Sequence, residues 1–228
     1  MEETSVHINK ANIQPIEFLK EAKAYIGDQF WLFVGIVFVG ILIGNALAII
    51  LMGPAMCGIY LCLLKRSRGE TVGFETLFKG FDYFLESFIA TLIITGITLV
   101  IVIPIYAVIF LGAMGMANAG EHAEGLGAVA VLLILVSVLF VIAAVTVIQI
   151  CTMFTYLLIV DRGEKAIPAI KLSIRGGLGN FWGLFLFSLV NGILLLIAAV
   201  LCYLPVFLLL PLFFGAIVIV YQKIFNEA

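Results

Sequence analysis

Long stretches of this chain run without a charged side chain for more than one membrane crossing requires, among them Gln29–Leu64 over 36 residues, Val129–Val160 over 32 and Phe181–Gln222 over 42. About 20 consecutive apolar residues cross the roughly 30 Å hydrocarbon core of a bilayer. With 64% hydrophobic and 11% charged residues, the chain is far from the roughly one-quarter charged residues of a soluble domain. So little polar surface cannot cover so large an apolar core, and lipid is the solvent that fits. The expected fold is all-α, a polytopic membrane helical bundle of about six spans with short interfacial amphipathic helices.

As one helix, Gln29–Leu64 would extend about 54 Å, so it must turn back. Gly44-Asn45 and Gly53-Pro54 are both candidate breaks. The stretch reads as two spans, or as a span with a short tilted return leg. Gly40 and Gly44, extended by Ala48, form a GxxxG pattern that lets helices approach closely, within the chain or across a dimer. A third span is expected over Ser87–Leu111, bent at Gly96 and Pro104, and then a flexible Gly-rich loop over Gly112–Gly127. Val129–Val160 contains neither Gly nor Pro, which favours one long tilted helix. Phe181–Gln222 should be two spans joined near Tyr203-Leu204-Pro205. The domain plan is a polar tail and amphipathic helix over residues 1–28, a six-span domain over 29–223 and a short tail over 224–228. No short signal-peptide core precedes Asp28, so the first span is expected to be retained.

Two polar islands divide the apolar sequence: Leu64–Phe84 (LKRSRGETVGFETLFKGFDYF) and Val160–Trp182 (VDRGEKAIPAIKLSIRGGLGNFW). In the first, Phe74, Leu77, Phe78 and Phe81 recur at helical spacing; in the second, Ile167, Ile170 and Ile174 do. Both faces suit helices half-sunk in the headgroup layer. A similar face is expected upstream, where Pro15 opens a helix that aligns Ile16, Leu19, Ala22 and Ile26, either lying in the membrane interface or packing as a short soluble helix on the cytoplasmic loops. With six spans, all 12 Lys and Arg residues fall on one side of the membrane, and the positive-inside rule makes that side cytoplasmic, with both termini on it. Arg68-Gly69-Glu70 matches Arg162-Gly163-Glu164, each followed by a basic-Gly pair (Lys79-Gly80, Arg175-Gly176) and aromatics entering a span. That pattern suggests a parallel internal repeat.

These residues carry a resemblance. GPAMCGIYLCLLKRSRGETVGFETLFKGFDYF and YLLIVDRGEKAIPAIKLSIRGGLGNFWGLF resemble bacterial integral-membrane families related to the membrane domain of glycerophosphoryl diester phosphodiesterases, across roughly Phe30–Gln222. The resemblance implies a helical membrane fold in a bacterial inner membrane. It brings no catalytic residue with it, because no phosphodiesterase catalytic domain is attached.

Little in the chain points to chemistry. His7 sits in the polar tail, and His122 with Glu121 and Glu124 lies on a Gly-rich loop too pliant for a fixed metal geometry. Cys57, Cys62, Cys151 and Cys202 lie in or beside apolar runs and read as small hydrophobes. No G-x-S-x-G, HExxH or P-loop pattern occurs. No catalytic residue, cofactor or metal site is assigned. Transport through buried carboxylates is disfavoured, because the spans carry none. Asn45, Gln149 and Asn191 could instead line an intramembrane polar passage, or simply hydrogen-bond between helices. Lys65, Arg66, Arg68 and Lys79, with Arg162, Lys165, Lys171 and Arg175, could form a basic rim for anionic headgroups, or serve only to fix topology. Expected partners are membrane lipids, a membrane protein or a second copy of the chain, and no nucleic acid. The leading expectation is a non-catalytic scaffold or membrane-maintenance component. A passive or lipid-directed transporter is second and a membrane enzyme third.

Overall fold

A computed structural model describes residues 8–118, 124–201 and 204–225, and every regular element among them is helical. The order is α1 (Pro15–Ile26), a 3-10 turn, α2 (Phe30–Ala46), α3 (Ala48–Ser67), α4 (Glu75–Phe78), a second 3-10 turn (Lys79–Tyr83), α5 (Phe84–Asn118), α6 (Glu124–Thr152), α7 (Thr155–Arg162), α8 (Ala166–Gly179), α9 (Phe181–Val200) and α10 (Leu204–Phe225). Six runs among the described residues are long and apolar enough to cross a membrane. The expected all-α membrane bundle is what the chain forms.

The undecided first turn lies at Leu47, whose extended backbone (φ −135°, ψ 67°) separates α2 from α3. Gly44-Asn45 marks it, whereas Pro54 sits inside α3. The GxxxG pair serves this hairpin: a Cβ at Gly40 would lie 2.7 Å from Ile59, and one at Gly44 would lie 3.2 Å from the Met52 sulfur. The motif therefore packs α2 against α3 inside one chain. Asn45 has turned back on its own helix, its amide donating to the Ile41 carbonyl at 2.8 Å.

The chain divides into two compact units: the described parts of Met1–Leu92 with Ile150–Ala228, and Ile93–Gln149. In the first, α3 and α10 carry the core. The span windows in Ile49–Ser67 and Pro205–Phe225 are 56% and 44% buried, while those in Glu75–Gly115 and Val131–Arg162 contain no buried residue. Lipid tails solvate Leu as well as another helix does, so contact between spans depends on close packing. The glycines supply it. The second unit comprises the outer lengths of α5 and α6. An open apolar groove of about 300 Å³ lies between Pro104, Ile105 and Val108 on one helix and Val136, Ser137 and Phe140 on the other. The loop expected over Gly112–Gly127 is helical at both ends, since α5 continues to Asn118 and α6 starts at Glu124. His7, Glu121, His122 and Cys202 lie outside the described residues.

Three amphipathic faces differ from expectation. On α1 the buried residues are Phe18, Ala22 and Ile26, whereas Ile16 is exposed. The helix has rotated to pack on α10, and the Lys223 ammonium sits 4.3 Å above the Phe18 ring. In the first island only Leu77 is fully buried; Phe74 and Phe78 stay exposed, with their rings 6.5 Å apart. In the second, Ile170 is buried and Ile167 exposed. Of the residues expected on each amphipathic face, one is thus plugged into the bundle, Leu77 in the first island and Ile170 in the second, while Phe74, Phe78 and Ile167 stay outside. Leu77→Asp, which forces an unpaired carboxylate into the packed interior, is expected to cost several kcal/mol. Phe78→Asp is expected to leave the spans folded. Thermal unfolding in mild detergent reads the contrast, and equal losses would refute the split.

The expected single helix over Val129–Val160 is interrupted at Met153-Phe154, between α6 and α7. No Gly or Pro is responsible. The Ser173 hydroxyl enters the helical ladder instead, accepting from the Phe154 N–H at 3.1 Å and donating to the Cys151 carbonyl at 2.8 Å. A side chain inserted in this way is a recognised cause of helix breaks.

Candidate functional site

The two islands are built alike. Helices α3 and α7 each end on the glycine of an Arg-Gly-Glu triplet, with Gly69 at φ +82° and Gly163 at φ +65°. Side chains other than Gly adopt that region at a cost. After α3 the Gly69 N–H donates to Arg66 O at 2.9 Å and the Glu70 N–H to Lys65 O at 3.0 Å, a Schellman closure. After α7 the Glu164 N–H reaches Leu158 O at 3.4 Å. The chain then folds each island back through a glycine, the first onto α3 and the second onto the end of α6. A Cβ at Gly80 would lie 2.3 Å from the Gly58 nitrogen and 2.4 Å from the Pro54 carbonyl; one at Gly177 would lie 2.7 Å from the Ile150 carbonyl. Backbone meets backbone at both places.

Between the islands lies a polar cluster. Asp161, with only 5% of its side chain exposed, pairs through one oxygen with Arg68 of the first island. Its other oxygen accepts from the Tyr221 hydroxyl at 2.9 Å. The Arg162 guanidinium donates to the Phe225 carbonyl at 2.7 Å, and the Gln222 amide donates to the Ser67 hydroxyl at 2.9 Å. The carboxylate of Glu86 accepts from the Ala166 N–H at 2.7 Å, placing a negative charge at the start of α8. Arg66 pairs with Asp28 and donates from Nε to the Tyr25 carbonyl at 2.8 Å. Lys65 lies 3.6 Å from Glu70 and Lys223 lies 3.8 Å from Glu21.

A short N-terminal segment closes the same end. The Asn180 amide oxygen accepts from the Ala11 N–H at 2.9 Å, and its nitrogen donates to Asn9 O at 3.1 Å and to Gly176 O at 3.3 Å. The Asn9 N–H donates to Ile224 O at 3.0 Å.

The eight basic residues expected to form one rim thus fall into two groups. Lys65, Arg66 and Arg68 are held in ion pairs and Arg162 bonds a helix end. Lys79, Lys165, Lys171 and Arg175 are exposed. The three amides expected to line a passage have different surroundings. Asn45 is exposed and bonded within α2, Gln149 is exposed in the second unit, and Asn191 is fully buried in α9 with neither amide atom hydrogen-bonded. The Ser188 hydroxyl, one turn before Asn191, is buried and likewise without a partner. Cys57 and Cys62 are buried free thiols. Among the described residues no three His, Cys, Asp or Glu side chains converge as metal ligands do.

No family model, curated protein or solved structure matches this chain. The residues that organise the cluster, Asp161, Tyr221, Glu86 and Asn180, are not singled out by the sequence pattern. Each stands at the edge of an apolar run, and each has a partner 60 or more positions away.

Proposed function

We propose that this chain is a non-catalytic multi-span protein of a bacterial inner membrane, acting as a scaffold or membrane-maintenance component with its islands in the cytoplasm. One observation carries the reading. The polar groups between the two islands are engaged with one another, above all Arg68, Asp161 and Tyr221, in which both carboxylate oxygens are occupied. Such a cluster fixes the relative placement of α3, α7 and α10, as a platform needs. The concentration of basic residues around it supports the cytoplasmic orientation, and the resemblance to membrane domains related to glycerophosphoryl diester phosphodiesterases supports the bacterial setting.

A passive or lipid-directed transporter is the second reading. It is favoured by Ser188 and Asn191, buried one turn apart on α9 without partners, where an uncompensated polar group costs about 1–3 kcal/mol. Solute entry into liposomes separates the two. Vesicles containing the purified chain are expected to take up glycerol at the rate of protein-free vesicles in stopped-flow light scattering. A rate several times higher that returns to background in Asn191→Leu would replace the scaffold with the transporter.

A further inference from the structure

The two islands differ in how far their cations are paired. The first carries Lys65, Arg66, Arg68 and Lys79 among Glu70, Glu75 and Asp82, with Glu86 two residues beyond its end, and three of its four cations are held in ion pairs. In the second, no acidic residue occurs after Glu164 until Glu227. Helix α8 buries Ala166, Ala169, Ile170, Ser173, Gly176 and Gly177, which leaves Ile167, Lys171, Arg175 and Leu178 along its exposed face. Where α8 meets the span α9, Leu178 and Trp182 border a groove of about 350 Å³ whose other wall carries Lys10. Trp182 is 78% exposed. Asn180, fully engaged with the N-terminal segment, holds that wall in place.

We infer that this groove and the adjoining face of α8 bind the anionic headgroup of a membrane phospholipid, with Lys10 at the groove, Arg175 and Lys171 along the adjoining face, and Leu178 and Trp182 against the upper acyl chains. The inference rests on the reading of the chain as membrane-spanning and identifies the lipid class its island end selects. Charge and polarity agree in it. Three exposed cations lie beside apolar side chains at the foot of a span, where basic side chains extend toward headgroups and Trp sits at the interface. A zwitterionic headgroup gains no net attraction from them. The islands therefore have different emphases: three of the four cations in the first are held in ion pairs, and the exposed face of α8 in the second meets the lipid.

The test uses the full chain with Trp31→Phe, so that fluorescence reports Trp182 alone. The protein is reconstituted in phosphatidylcholine vesicles containing a minority of phosphatidylglycerol, with bromine quenchers on the chains of one lipid or the other. Trp182 is expected to select phosphatidylglycerol. Arg175→Gln and Lys10→Gln should each reduce that selectivity about fivefold, as follows from about 1 kcal/mol per cation near a charged surface. Lys20→Gln, on an exposed position of α1, should leave it unchanged. Equal quenching by both lipids, or an equal loss with Lys20→Gln, overturns the site. Suppression of the selectivity by inorganic phosphate assigns the groove to a free anion and equally refutes the lipid. Absence of quenching by either lipid would instead refute the membrane-spanning reading itself.

Discussion

Arg68→Met is expected to destabilise the folded chain by about 3 kcal/mol, whereas Asp161→Asn should cost about 1 kcal/mol. Removing one member of a buried ion pair costs about 3–5 kcal/mol, because the other charge is left without compensation. The pair here is unequal. The Asp161 side chain is 5% exposed and that of Arg68 is 48% exposed. Deleting the guanidinium strands a carboxylate inside the protein with only the Tyr221 hydroxyl to bond; the half-exposed partner places the loss at the low end of the range. Deleting the carboxylate leaves a guanidinium that water already reaches, and the amide oxygen still accepts from Tyr221. The double variant Arg68→Met/Asp161→Asn should therefore be more stable than Arg68→Met alone. A double-mutant cycle on unfolding in detergent measures this. Additive losses would show that the two side chains are neighbours without being coupled.

The second large effect concerns Gly80. Gly80→Val should cost about 3 kcal/mol or more and loosen the first island, because a Cβ there would meet the backbone of Pro54 and Gly58 at 2.3–2.4 Å. Overpacking of a tight contact ordinarily costs about 1–3 kcal/mol through shifts of side chains, and here no side chain can yield. Gly177→Val should behave in the same way against Ile150. Gly96→Ala on α5 is the control. Nothing lies within 4 Å of its added methyl, and an exchange of Gly for Ala inside a helix is favourable by about 1 kcal/mol. Similar losses at all three positions would mean that the islands are not seated through these glycines.

The spans were legible because length and charge decide them. A charge-free run longer than a bilayer has to cross it, and Tyr203-Leu204-Pro205 sits where the last such run divides. The position of the first turn was not legible, since Gly44-Asn45 and Gly53-Pro54 offer similar chemistry. Only packing distinguishes them, by fitting Gly53 against the Ser87 carbonyl and so holding α3 helical through Pro54. The break at Phe154 was invisible for a related reason: it is made by Ser173, 19 residues away. Helical spacing correctly marked amphipathic stretches in α1 and both islands, yet it could not say which residues face protein. In lipid both sides of a helix are apolar, and the usual contrast between a wet face and a dry one is lost. The basic residues were read together as one rim because sequence shows charge without showing its partner. Arg68 and Asp161 are 93 positions apart.

The N-terminal segment also constrains how the protein is made. Asn9 and Ala11 close onto Asn180 and Ile224, and α1 seats on α10, so α1 leaves the ribosome well before the helix it packs on. The Ala11 bond alone spans 169 residues, roughly 10–30 s of synthesis at 5–20 residues per second. Throughout that interval Phe18, Ala22 and Ile26 have no α10 to cover them. The nascent chain must shelter this face at the membrane surface or with an insertion factor until α10 arrives, and completion of α10 becomes the step that covers it.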